Sequence, residues 1–187
     1  MVINLIPCGI SGSGIALKKG GVLGVASAVA EPPDFGEKLW ESTDTGEEEA
    51  MRGVEVTIGG ERFQTGHTLI GATPLKDLFN VRATGTASGT AELKLINSSD
   101  VEKASFGTID MSALTSSFST QTFENTSNTE TIANNDKIVF YYDGNCCFRF
   151  ETCATCSESG TNESFYSVVS SSWTDRTTVC TMEVWGY

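Results

Sequence analysis

The most reactive side chains of this sequence are six cysteines: Cys8, Cys146, Cys147, Cys153, Cys156 and Cys180. An even number of thiols in a chain of extracellular character points to disulfides, with fifteen connectivities open if all six pair within one copy. Adjacent Cys146 and Cys147 seldom bridge each other, so each is expected to reach elsewhere. Cys153-Ala154-Thr155-Cys156 has the spacing of a zinc-ligand pair, but a structural zinc site needs a second spaced pair, and two adjacent cysteines make a poor one. Disulfides are therefore favoured over zinc, and no metal site is expected. A thioredoxin-like redox role would require a βαβ setting that is missing here. His67 is the sole histidine, with no partner pattern around it, and reads as a surface or turn residue rather than a catalytic one. No carboxylate pair stands out of the acidic background, so a glycan-cleaving centre is not expected. Neither catalytic residues nor a cofactor are expected.

Weaker chemical signals remain. Asp44 with Glu47, Glu48 and Glu49, or Asp136 with Asp143 and Asn145, would be oxygen donors for calcium, but their spacing matches no EF-hand loop, and a run of acids is ordinarily a solvated surface. Asn97-Ser98-Ser99, Asn125-Thr126-Ser127 and Asn162-Glu163-Ser164 are acceptor tripeptides for glycans, each in an expected loop. Trp173, Trp185, Tyr141, Tyr142 and Tyr187 would make a sugar-stacking platform if they came together, although core packing explains aromatics in strands more simply.

The elements that must carry these groups begin with the first thirty residues. Gly21 to Ala30 is apolar and free of charge, and Pro32-Pro33 separates it from the rest. Read at period two, Leu23, Val25, Ser27 and Val29 share one face, and Val22 lies with small residues on the other. At roughly 3.3 Å per residue such a strand spans about 33 Å, the height of a small β-sandwich. Ala28-Val29-Ala30 mimics a signal-peptidase site, but the stretch before it is long and weakly basic. The apolar run is also too short for a membrane span of about twenty residues. Residues 1–33 are accordingly read as an N-terminal arm and linker, a candidate donor strand for a neighbouring copy. Leu23, Val25 and Val29 would be its anchors, with Val22, Ile15 and Leu17 beside them at the subunit interface. Cys8, alone in the arm, would bridge covalently to the neighbour.

The chain has 187 residues, enough for one self-sufficient domain plus an arm. Twelve basic against 24 acidic residues give a formal charge of −12, a field that repels a phosphate backbone, so nucleic acid is not an expected partner. From residue 34 onward, short alternating segments are parted by turn residues. Val54 to Ile58 precedes an expected Gly59-Gly60 turn, and Arg62 to Thr68 would follow it as another strand. Thr90 to Ile96 places Ala91, Leu93 and Leu95 on one face and Glu92 and Lys94 on the other. Asp110 is placed to cap a single helical turn. Asn134-Asn135-Asp136 is a strong turn signal, and Lys137 to Tyr142 the clearest strand. Such a pattern indicates an all-β fold, a jelly-roll-like β-sandwich over residues 34–187.

From about Leu39 onward the sequence resembles a jelly-roll module of archaeal and viral surface proteins. The matching pieces are Leu39 to Glu47, His67 to Phe123, Thr131 to Gly144, and Ser171 to Tyr187. The resemblance implies that Leu69-Ile70-Gly71 opens the sheet, that Gly89 to Leu93 enters a core strand, and that Asn134 to Tyr142 leads into a late central strand. It implies a fold and a surface setting, not an activity; the arm is instead similar to those of strand-exchanging extracellular fibre subunits. The expectation is a structural subunit on a cell or virion surface whose partners are copies of itself in a linear or helical polymer, with glycans as possible additions and no membrane span. A carbohydrate-binding or virion-decorating module is the alternative.

Overall fold

The computed structural model describes residues 15–17, 23–25, 34–42, 47–51, 56–144, 148–153, 161–167 and 170–187. The chain divides into two compact units, Met1–Pro33 and Asp34–Tyr187. In the first, β1 (Ile15–Leu17) and β2 (Leu23–Val25) pair antiparallel, with Ile15 opposite Val25 and Leu17 opposite Leu23. The described part of the strand expected over 21–30 thus spans three residues and pairs within the arm. Cys8, Val22 and Val29 lie outside the described residues.

The second unit is two antiparallel sheets. One runs in the order β13 (Ser172–Asp175), β12 (Thr161–Ser167), β5 (Val56–Phe63), β10 (Lys137–Tyr142), β7 (Thr90–Ile96) and β8 (Glu102–Asp110). The other joins β14 (Val179–Cys180), β11 (Phe148–Cys153), β6 (Pro74–Ala83), β15 (Met182–Gly186) and β3 (Glu37–Glu41), with β4 (Glu47–Met51) on β11 and β9 (Ser119–Glu124) on β6. Alternation decides which side chains turn inward. Ala91, Leu93 and Leu95 of β7 are fully buried, whereas Glu92 and Lys94 are partly exposed on the opposite face. The core is closed by aromatic rings from both sheets. Phe140 of β10 meets Phe79 of β6 at 4.9 Å, Phe148 of β11 at 5.0 Å and Phe123 of β9 at 5.3 Å between centroids, each at a steep interplanar angle. Two sheets sharing one apolar layer make a β-sandwich, and burying each such ring stabilises it by about 2–3 kcal/mol.

Several local expectations are corrected. Gly59-Gly60 is not a turn: β5 passes straight through it, because the backbone of β10 lies too close for a side chain there. A Cβ on Gly60 would stand 2.2 Å from the Ile138 carbonyl oxygen. The strand expected over Arg62 to Thr68 ends at Phe63, and His67 sits in the turn that follows. Leu69-Ile70-Gly71 is likewise turn, not the opening of a sheet: Leu69 is buried in the core and Ile70 is exposed. The acidic run Glu47 to Glu49 is part of β4, with Glu49 opposite Phe150. Asp110 does cap a single turn, the 3-10 helix Met111–Ala113, where its Oδ1 accepts the Ser112 N–H at 2.8 Å. No helix among the described residues is long and apolar enough to cross a membrane.

Candidate functional site

For a chain expected to pair with its own copies, the relevant geometry is the rim of the sandwich. An edge strand offers unpaired N–H and C=O groups along one side, and most proteins blunt it with charge, bulges or covering segments. The β8 edge carries two register shifts against β7, and the Ser105 carbonyl within it accepts the Asn125 side-chain amide at 2.9 Å. β13 is four residues long, and its Asp175 is held by Arg62 at 2.7 Å. β3 is charged at Glu37, Lys38 and Glu41, with Lys38 paired to Glu41, and its register against β15 shifts once. β4 opens with three glutamates. β9 differs from all of these. Its six residues pair with β6 in one unbroken register, from Ser119 opposite Val81 to Glu124 opposite Lys76. Its only charge is the terminal Glu124.

A shallow cleft of about 140 Å³ lies on the outer face of the sheet that contains β6, where Ser42, Asn80, Thr120, Thr181 and Glu183 surround Leu78 and Met182. Thr120 donates to Asn80 Oδ1 at 2.8 Å, and Asn80 Nδ2 donates to Glu151 at 2.9 Å. The Ser42 hydroxyl is buried without a hydrogen-bond partner. This lining is neutral but for one carboxylate, which the Trp185 indole N–H bonds at 3.1 Å.

The aromatic residues do not form one platform. Trp173 donates to Asp100 at 2.9 Å and lies over the Lys137 ammonium at 4.4 Å, tying β13 to the β7–β8 turn. Trp185 instead stacks under Lys76 in the other sheet, at 4.0 Å. Tyr142 is buried, with its hydroxyl on the Ser88 carbonyl, and Tyr187 is exposed. Tyr141 takes the Lys94 ammonium over its ring at 5.1 Å, and burial raises its phenol pKa. On the same face, burial works to raise the pKa of Glu92, but hydrogen bonds from Ser105 and Lys94 outweigh it and hold the carboxyl lower.

The sequence-derived sites divide as follows. His67 is buried rather than superficial: it packs on Trp40 and Phe63 at 5.1 and 5.0 Å, and its Nδ1 accepts the Leu69 N–H. Asp136 and Asp143 are occupied structurally, the first by Lys103 and the Ala133 N–H, the second by the Thr90 N–H at 2.6 Å. Among the described residues, no three His, Cys, Asp or Glu side chains converge on a metal-sized space. Cys153 is buried and disulfide-bonded, and Cys180 is buried on β14. Cys146, Cys147 and Cys156 lie outside the described residues. Asn97 and Asn125 occupy loops, each holding the backbone N–H two residues on; Asn162 is on β12.

One titratable group went unremarked at the sequence level. Asp77 is fully buried on the inward face of β6, with no hydrogen bond to either carboxyl oxygen, and burial pushes its pKa well above the usual carboxylate range. The alternation Leu75, Asp77, Phe79, Val81 places it there, and was the signal available.

No protein-family model, curated protein or solved structure matches this chain.

Proposed function

We propose that this protein is a non-enzymatic structural subunit of an archaeal or viral surface, which self-assembles into an extracellular filament by giving its N-terminal strand to the next copy. The observation that supports this most is the division of the chain at Pro33 into an arm unit and a sandwich unit. The arm sequence from Gly21 to Ala30 has no charge to keep it in water. The mechanism is β-augmentation, in which backbone pairing supplies affinity and alternate side chains supply specificity. Leu23, Val25 and Val29 are the anchors, Val22, Ile15 and Leu17 support them, and Cys8 is a covalent staple between subunits. A head-to-tail contact of this kind does not close on itself and so propagates. Deleting residues 1–30 tests the reading by light scattering: the full chain should run as a polymer and the truncated chain as a monomer. Equal masses for the two would refute it.

A second reading, a carbohydrate-binding or virion-decorating module, is favoured by the cleft beside Ser42. Its hydroxyl and amide lining over Leu78 and Met182 suits a neutral polyol better than an anion. Under this reading the truncated chain keeps both its oligomeric state and its binding to immobilised glycans.

A further inference from the structure

The geometry points to β9, Ser119–Glu124, as the strand that receives the arm: residues 21–30 of a second copy pair along its open side. This rests on the donor-strand reading and names the acceptor that reading leaves open.

Three observations carry it. First, among the described residues β9 is hydrogen-bonded as a strand on one side only, to β6, and its side-chain bonds run from Thr120 to Asn80 and between Gln121 and Ser119. Alternate backbone groups of an antiparallel edge point away from its partner, so the free side of β9 keeps donors and acceptors for another strand. Second, the protections seen on β8 and β3 are missing here. β8 is bulged and capped by Asn125, and β3 is bulged and charged, whereas Ser119-Thr120-Gln121-Thr122-Phe123 is uncharged and regular over its whole length. An uncharged arm laid along β3 would desolvate Lys38 and the glutamates without pairing them, a penalty β9 does not impose. Third, the rim around β9 has apolar surface still to cover. Ile109 at the end of β8 and Leu114 just before β9 are only partly buried against the core. A strand added beside β9 with Leu23, Val25 and Val29 on its inward face would extend the apolar layer that Phe123 closes.

The experiment is site-specific photocross-linking on the full chain. Benzoylphenylalanine replaces Thr122, an exposed residue of β9, and in a parallel sample Lys38 of β3. Nitrogen-15-labelled and unlabelled chains are mixed, so that a cross-link between copies is told from one within a copy by mass. The expected product joins β9 to the tryptic arm peptide of the other isotope, 20–38; the arm peptide of the Lys38 sample runs 20–52, and cross-links to the arm should be at least about tenfold more abundant from position 122 than from position 38. As a second measurement, Ser119→Lys with Gln121→Lys places charge on the edge and should lower the polymerised fraction by about tenfold or more, while thermal unfolding shows the sandwich still folded. Arm-dependent polymers whose cross-links arise from position 38 instead, or that tolerate the two lysines, overturn β9 as acceptor and leave the donor-strand reading standing. Polymers that persist without residues 1–30, or no polymer at all, overturn both.

Discussion

Asp77 makes a quantitative demand on the fold. It lies on β6 between inward-facing Leu75 and Phe79, opposite Phe123 on one side and Val184 on the other, with no hydrogen bond to either oxygen. A carboxylate there would lose its hydration without a counter-charge, so the folded chain holds the acid protonated well above its ordinary value of 3.8. The unfolded chain, being hydrated, releases that proton near the ordinary value. Between the two pKa values the folded state binds more protons than the unfolded, so stability falls as pH rises. The stabilising protonated state is fully matched only below about 3.8. The slope from this one group is about 1.4 kcal/mol per pH unit, or about 4 °C in Tm for a sandwich of this size. Asp77→Asn removes the titration and keeps the shape. Thermal unfolding of wild type and variant from pH 4 to pH 8 should give a Tm difference that moves in favour of the variant by about that amount per unit, levelling off where the folded acid ionises. Asp77→Leu, which leaves no buried polar group to satisfy, should be more stable than wild type at pH 7 by about 1–3 kcal/mol. Parallel Tm curves for wild type and Asp77→Asn would refute the reasoning, since they would mean that the carboxyl is solvated or paired.

Three further outcomes follow from local geometry. Gly60→Ala puts a Cβ 2.2 Å from the Ile138 carbonyl oxygen, and chemical denaturation should show a loss of about 3 kcal/mol or more, because backbone rather than a side-chain tip must move. Phe140→Ala empties the contact between the sheets and should lose about 3–5 kcal/mol by the same assay, whereas Phe140→Leu should lose less. Glycan transfer to the folded chain should occupy Asn97, whose Oδ1 takes the Ser99 and Val101 N–H groups and whose amide nitrogen is uncommitted, and not Asn125, whose amide nitrogen donates to the Ser105 carbonyl at 2.9 Å; glycopeptide mass spectrometry reads the ratio.

What was legible in the chain was whatever depends on near neighbours. The alternation of Thr90 to Ile96 and the density of Lys137 to Tyr142 mark core strands because a strand's period is local, and Asp110 announces its turn because a cap reaches only two residues. The double glycine at 59–60 reads as a turn by composition, but here glycine answers the close approach of β10, a contact between residues far apart in sequence. Glu47 to Glu49 fall in β4 through a pairing with β11 that is equally remote. The same limit hid β9. Phe118 to Phe123 is an ordinary strand on paper, and only the pairing of strands across the sandwich leaves one side of β9 open among the described residues. The buried acid was the exception: its inward position is written in the spacing from Leu75 to Val81.

The central claim is that the arm of one copy is spatially part of another copy's sandwich. Electron cryomicroscopy of the assembled full chain tests it most directly, by tracing residues 21–30 through the map. The account requires that density to leave its own subunit and run as a strand in the sheet of the next. Continuous density leading the arm back over the sandwich it is joined to, or a field of single subunits, would contradict it.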